Sequence, residues 1–264
     1  MKFIERLNTM KSKFLEVLFP KDISCISCGE ELCGKDKYSL CEKCLNDIIF
    51  IDKTCYKCGA LVIADSTYCN NCKNRSRVIE RNYSACLYRN TMKSLIHKLK
   101  YGNARYLREP LGTILYDKYL SLVEDGVDVD IILPVPLGKE KLRNRGFNQV
   151  SELLKSFETD KIEEDVLVRI KESNVQARLS REERENNIKD AFEIVKPDVV
   201  KGKKVLLVDD VFTTGITIDE CARILFNAGA TSVISLTLAH SYKDKVEGEE
   251  ESIFNDEFYD DEIW

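Results

Sequence analysis

The chain has 264 residues, 44% apolar and 32% charged, with a formal net charge of -5. That length and apolar share can bury a sizeable core, as one large domain or a medium one with a small module, so a globular protein is expected. The acidic balance excludes a chain that is basic throughout and leaves any nucleic-acid contact to a local patch.

Residues 1–20 alternate charged and apolar side chains in the manner of a short amphipathic helix. They contain no continuous apolar run of signal or membrane length, which points to a cytoplasmic protein without a spanning segment.

Nine of the eleven cysteines fall between Cys25 and Cys72. Eight of them make four Cys-x-x-Cys pairs: Cys25/Cys28, Cys41/Cys44, Cys55/Cys58 and Cys69/Cys72. Cys33 stands alone, and Cys86 and Cys221 lie beyond. Thiolates two residues apart can chelate one tetrahedral metal from a tight turn, whereas a disulfide framework needs an oxidising compartment that nothing here suggests. Glycine follows a pair in "CISCG" and "CYKCG", where it can use positive φ. Structural zinc is therefore expected, with a closed shell of four thiolates per ion and no open position for catalysis. The spacing leaves open whether consecutive pairs share an ion, as Cys25, Cys28, Cys41 and Cys44 would, or whether the pairs interleave. The module, residues 1–76 with its N-terminal helix, has few long apolar segments and draws its folding energy largely from metal. Its nearly balanced charge favours a structural or docking role over a nucleic-acid finger.

Between Arg81 and Arg108 the chain carries Arg81, Arg89, Lys93, Lys98, Lys100, Arg105 and Arg108 and no acid. Met92, Leu95, Ile96 and Leu99 recur at helical spacing, which predicts a core-facing helix with solvated lysines. The positive face would attract phosphates of a nucleotide or of a nucleic-acid strand. His97 has no ligand-type neighbour and is not expected to bind metal.

From residue 128 strands and helices alternate. "VDIILPVP", "VLLVD" and "SVISLTLA" read as buried strands, and "ITIDECARILFNAG" as a helix between the last two. The resulting βαβ unit predicts an α/β domain over residues 77–240 with a mostly parallel sheet. Ligands of such sheets bind beyond the carboxyl ends of the strands, where the loops "PLGKEKLRNRGFNQ" and "DDVFTTGIT" emerge.

Asp209 and Asp210 stand where a buried strand leaves the core, so one or both reach the cleft, their repulsion relieved by solvent, a cation or a polyol. Thr213, Thr214, Gly215 and Thr217 follow at a helix start, where N–H groups, hydroxyls and the positive helix end can cradle a phosphate. Carboxylates for sugar hydroxyls beside a phosphate cradle suit a ribose 5-phosphate. A Walker-type loop and a dinucleotide fingerprint are both absent. The basic loop reads as a solvated face or, from its strand-end place opposite the acidic turn, as a ligand or nucleic-acid contact; Asn148, Gln149 and Gln176 are either polar partners of the site or capping and surface residues. The segment 241–264 has two lysines against ten acids, punctuated by aromatic residues. It reads as a solvated tail, or as one that docks on a partner or on a basic cleft.

"VLLVDDVFTTG" resembles the phosphoribosyl-diphosphate motif of type I phosphoribosyltransferases. Together with the cysteine pairs, "LIHKLKYGNARYL", "ILPVPLGKEKLRNRGFNQ" and "NVQARLSREERENNIKDAF", it resembles the ComF family of competence-related proteins from about Cys25 to His240. The resemblance implies a zinc module on a type I phosphoribosyltransferase-like domain that binds 5-phosphoribosyl 1-diphosphate with magnesium. It further implies a part in taking up single-stranded DNA for natural transformation, beside a helicase-like competence protein, in the cytoplasm or at the inner-membrane uptake machinery. Asp209 and Asp210 would hold the ribose hydroxyls directly or through hydrated magnesium, and residues 213–217 the phosphate. Arg143 and Arg145 would meet the diphosphate, with Lys141 nearby, while Arg178 and Arg184 would close over the site as a hood. Whether transfer takes place, with Asp209, Asp210, Arg143 and Arg145 as its catalytic residues, or whether the ligand only regulates binding, the motifs leave open.

Overall fold

The computed structural model describes residues 24–34, 36–62, 66–73, 76–102, 104–171 and 188–241. The segment expected to form an N-terminal helix, Gln176, the expected hood residues Arg178 and Arg184, and the acidic tail lie outside them.

Four parallel strands make the main sheet: β1 (Asn82–Leu87), β2 (Ile131–Pro134), β5 (Lys204–Phe212) and β6 (Ser232–His240), in the order β1-β6-β5-β2. Residues 161–163 extend it past β2, where the Ile132 N–H donates to the Lys161 carbonyl and the Glu163 N–H to that of Ile132. β3 (Leu167–Arg169) and β4 (Phe192–Ile194) pair antiparallel as a separate ribbon. The helices are α1 (Asn90–Tyr101), α2 (Arg108–Glu124), α3 (Lys139–Arg145), α4 (Gln149–Leu154) and α5 (Ile216–Asn227).

Val205 to Val208 are buried on both faces of the sheet, which is why β5 reads as a continuous apolar run and not an alternation. Leu206, Val208 and Leu236 face a core built with α1, α2 and α4. Val205, Leu207 and Val233 face a second core closed by α5 and the β3–β4 ribbon. α1 buries Met92, Leu95, Ile96 and Leu99 as their spacing predicts. Its N-terminus is capped from a distance: Asp47 accepts from the Thr91 N–H at 2.9 Å and from its hydroxyl at 2.6 Å.

Two sequence expectations need correction. The loop expected after β2 is in fact α3 and α4; Gly146, at φ 77°, ends α3 in the left-handed cap that glycine adopts without strain. The basic run does not form one positive face with solvated lysines. Lys98 Nζ donates to the Ser27 carbonyl at 3.0 Å, Lys100 pairs with Asp210, and Arg105 and Arg108 both pair with Glu152. Their acidic partners arrive from β5 and α4, so local composition could not reveal them.

The cysteine-rich segment repeats one turn. Cys25 N–H donates to the Glu30 carbonyl and Gly29 N–H to that of Cys25; Cys55 with Ala60, and Gly59 with Cys55, repeat the pattern. Both glycines have positive φ. Residues 49–51 run antiparallel to β1, through Ile51 N–H to the Ala85 carbonyl and Leu87 N–H to the Ile49 carbonyl. The first cysteine group then packs into the α1–α2 core, and the second into the core on the opposite face. The module thus straddles the β1 edge of the sheet.

Candidate phosphoribosyl site and metal centres

Asp209 and Asp210 are neighbours in sequence but point to opposite sides of β5, as side chains of a strand must. Asp210 is 5% exposed and turns toward α1 and α4. Its Oδ1 lies 3.1 Å from Lys100 Nζ, and its Oδ2 accepts from Gln149 Nε2 at 2.8 Å. Burial works against the Lys100 ammonium, but Asp210, with Tyr88 and Asp209, outweighs it and raises the lysine above its ordinary range. The repulsion between the adjacent aspartates is therefore eased in part within the fold, by a lysine that local composition does not connect with them.

Asp209 faces the α5 side. Burial first, and the neighbouring Asp210 second, push its carboxyl up to about 7, while Lys100 and Arg169 on β3 oppose them. Its Oδ1 accepts the Asp210 N–H at 2.8 Å, which fixes the side chain over the strand end.

Residues 213–215 turn from β5 into α5. Thr213 is exposed, Thr214 and Thr217 are half-buried, and Gly215 is the N-cap at φ 75°. A side chain at Gly215 would be strained in conformation, and a Cβ there would also lie 2.4 Å from the Phe212 ring. The first amides of a twelve-residue helix are thereby turned toward the strand end, an arrangement suited to an anion.

α3 brings the basic residues alongside. Arg145 Nη1 donates to Gln149 Oε1 at 3.2 Å and Nη2 to the Tyr101 hydroxyl at 3.1 Å, with the guanidinium over that ring. Because Gln149 also holds Asp210, Arg145, Gln149, Asp210 and Lys100 form one polar chain. Lys141 is half-buried and Arg143 exposed on the same helix. Asn148 caps α4, its side chain accepting from the Val150 N–H, and so takes the structural role. Val211 packs on the α1 side of the sheet, and Phe212 stacks on His240 beneath the turn.

The eight paired cysteines gather as Cys25, Cys28, Cys41 and Cys44, and as Cys55, Cys58, Cys69 and Cys72, the sulfurs of each group all within 4.8 Å of one another. The consecutive pairing holds and the interleaved one does not. Sulfur separations of 3.7 Å for Cys28 and Cys41 and 3.6 Å for Cys58 and Cys69 are close to the roughly 3.8 Å edge of a tetrahedron with Zn–S bonds near 2.3 Å. Either group could hold a zinc ion without a further ligand. Cys33, Cys86 and Cys221 belong to neither group.

A groove of about 1150 Å³ lies elsewhere, between the first cysteine turn and the segment joining α1 to α2. Lys98, Arg105, Tyr106 and Arg108 are among its lining, and Tyr106 is 63% exposed. Among the described residues no helix is long and apolar enough to cross a membrane.

A parallel sheet ending in an acidic turn and a helix start suited to an anion, with two four-cysteine groups on its edge, defines a phosphoribosyltransferase-like protein bearing a double zinc ribbon. The sequence matches the phosphoribosyl transferase domain over residues 144–264 and the double zinc ribbon domain over residues 14–86. It is 30% identical over 188 residues to the DNA utilization protein YhgH of Escherichia coli O6:H1, covering 69% of this chain and 82% of that one. It is 27% identical over 219 residues to competence protein F of Haemophilus influenzae, covering 79% and 93%. To competence protein ComFC of Streptococcus pneumoniae it is 26% identical over 230 residues, covering 82% and 99%. The chain belongs to the ComF family, and its fold is that of the type I phosphoribosyltransferases with an N-terminal double zinc ribbon.

Proposed function

We propose that this protein binds 5-phosphoribosyl 1-diphosphate with magnesium at the end of β5 and acts in DNA uptake for natural transformation, on the cytoplasmic side of the uptake machinery. The observation that carries the ligand is the succession, along one strand end, of a carboxylate at Asp209 and a helix-start cradle at residues 213–217, with Arg145 tied to Asp210 through Gln149. Phosphate would sit on the amides and hydroxyls of Thr213, Thr214, Gly215 and Thr217. Arg143, Arg145 and Lys141 would meet the diphosphate, and Arg178 and Arg184 would close over it. Magnesium fits this donor set, since it takes one or two carboxylates and completes its shell with phosphate oxygens and water. It would neutralise diphosphate charge; Asp209 would hold it, and a carboxyl raised to about 7 releases its proton when such a cation arrives. The eight paired cysteines would hold two structural zinc ions in residues 1–76, apart from the ligand domain of residues 77–240.

If the protein is a transferase, the arginines stabilise charge as diphosphate leaves, and enclosure by the hood excludes water from the reacting carbon. A second reading, that the ligand regulates contact with single-stranded DNA or a helicase-like protein without being turned over, draws support from the groove. There an exposed tyrosine that could stack on a base stands beside Lys98, Arg105 and Arg108, although both arginines are paired with Glu152, and Asp36 and Glu109 share the lining.

Calorimetry with 5-phosphoribosyl 1-diphosphate and magnesium tests the first reading: the protein should bind, and the Asp209→Asn/Asp210→Asn variant should not. Equal binding by both would remove the site. A diphosphate-release assay across bases, amines and single-stranded DNA separates the two readings; acceptor-dependent release means transfer, while binding without release, accompanied by altered DNA affinity, means regulation.

A further inference from the structure

Residues 76–80, which lead from the second cysteine group into β1, are fastened to α5 directly beneath the anion-binding turn. The Arg77 side chain is 4% exposed, and its Nη1 lies 2.9 Å from Asp219 Oδ2. The guanidinium sits 5.0 Å from the centre of the Phe212 ring, and a Cβ built on Gly215 would fall 2.2 Å from Nη1. Arg77 therefore fills the space under the turn and supports it. The other oxygen of Asp219 accepts the N–H groups of Val78 at 3.1 Å and Ile79 at 3.3 Å.

Asp219 lies in the first turn of α5. A carboxylate there stabilises the helix, but it also opposes any anion that approaches the same helix end. An arginine can cancel that charge while its planar fork stacks on an aromatic ring and packs against backbone, which a lysine cannot do as well. We infer that Arg77 is a positioning residue of the phosphate site: it neutralises Asp219 and props the left-handed turn at Gly215, so that anion affinity at residues 213–217 depends on a side chain delivered by the segment leaving the zinc ribbon. The inference rests on the reading of residues 213–217 as the phosphate loop.

A purely structural Arg77 would clamp residues 76–80 to α5 and nothing more. Titration calorimetry of the full chain with ribose 5-phosphate separates the two. Arg77→Gln should weaken binding about tenfold, the scale of one uncompensated charge at a partly buried helix end. Asp219→Asn keeps an acceptor for Val78 and Ile79 and leaves Arg77 positive, so it should bind as well as the unaltered protein or better. The double variant should return to within about threefold of the unaltered protein. Hydrogen exchange of the amides of residues 213–217, without ligand, should speed up in Arg77→Gln. Unchanged affinity in Arg77→Gln, or an equal loss in Asp219→Asn, overturns the inference. Should Arg77→Gln not fold, Asp219→Asn decides alone, a fall in affinity counting against the proposal. If the unaltered protein binds no ribose 5-phosphate, the phosphate-loop reading itself fails and this inference falls with it.

Discussion

Lys100 and Asp210, more than a hundred residues apart in the chain, form an ion pair of 3.1 Å with both side chains largely out of solvent. Removing one partner of such a pair leaves a buried charge without compensation, at a typical cost of about 3–5 kcal/mol. Lys100→Met should lower stability to urea by an amount of that order, and Lys100→Met/Asp210→Asn should recover much of it. Additive losses in the double variant would mean that the two groups are not coupled.

Asp209 makes the stability of the fold depend on pH. Its folded-state pKa, about 7, lies above the ordinary 3.8, so the native state binds the proton more tightly than the unfolded chain does. Stability from this group is complete below the ordinary value and falls as pH rises toward 7. Asp209→Asn should therefore raise the thermal midpoint of the ligand-free protein more at pH 8 than at pH 5, while abolishing binding of the phosphoribosyl ligand. A gain equal at both pH values would contradict the assigned burial.

Glu152 behaves oppositely. Burial would raise it, but Arg105, Lys155 and Arg108 prevail and hold it down to about 2. Its contribution is present above pH 4.5 and lost as pH falls toward 2. Glu152→Gln should destabilise the protein at pH 7 and progressively less toward pH 3, as read from urea midpoints; a pH-independent difference would be the contrary result.

Metal analysis of protein purified without added zinc should find two zinc ions per chain. Cys28→Ser and Cys58→Ser should each lose about one, whereas Cys33→Ser should lose none. The module should then unfold on chelation, since binding free energy in such ribbons is folding free energy. A chain that keeps both ions after Cys58→Ser would dissolve the second group.

Much of this was legible. The apolar runs gave β2, β5 and β6, and the 3.6-residue spacing gave α1 and α5. β1 stayed hidden because the buried positions that open it are polar: Asn82 and Ser84 are fully buried, satisfied by Ser235 at 2.8 Å and Thr237 at 2.7 Å, and only Ala85 to Leu87 make an apolar run. Hydropathy has no signal for a strand whose core positions are hydrogen-bonded. The acidic turn and phosphate cradle could be read locally, since their donors adjoin in sequence. Lys100, Arg77 and Arg169 could not, because only the packing of α1, the ribbon exit and β3 brings them to the strand end. That adjacent aspartates must face apart was available from strand periodicity alone, once Asp210 was recognised as part of the strand.

β1 lies between residues 49–51 and β6, its Asn82 in register with Ser235. During synthesis the ribbon and β1 emerge long before the strand that β1 must join, and such distant parallel pairings are slow to form. In the folded chain β1 is flanked on both sides: residues 49–51 cover its outer side at Ala85 to Leu87, where an open sheet edge would otherwise invite a strand of another copy.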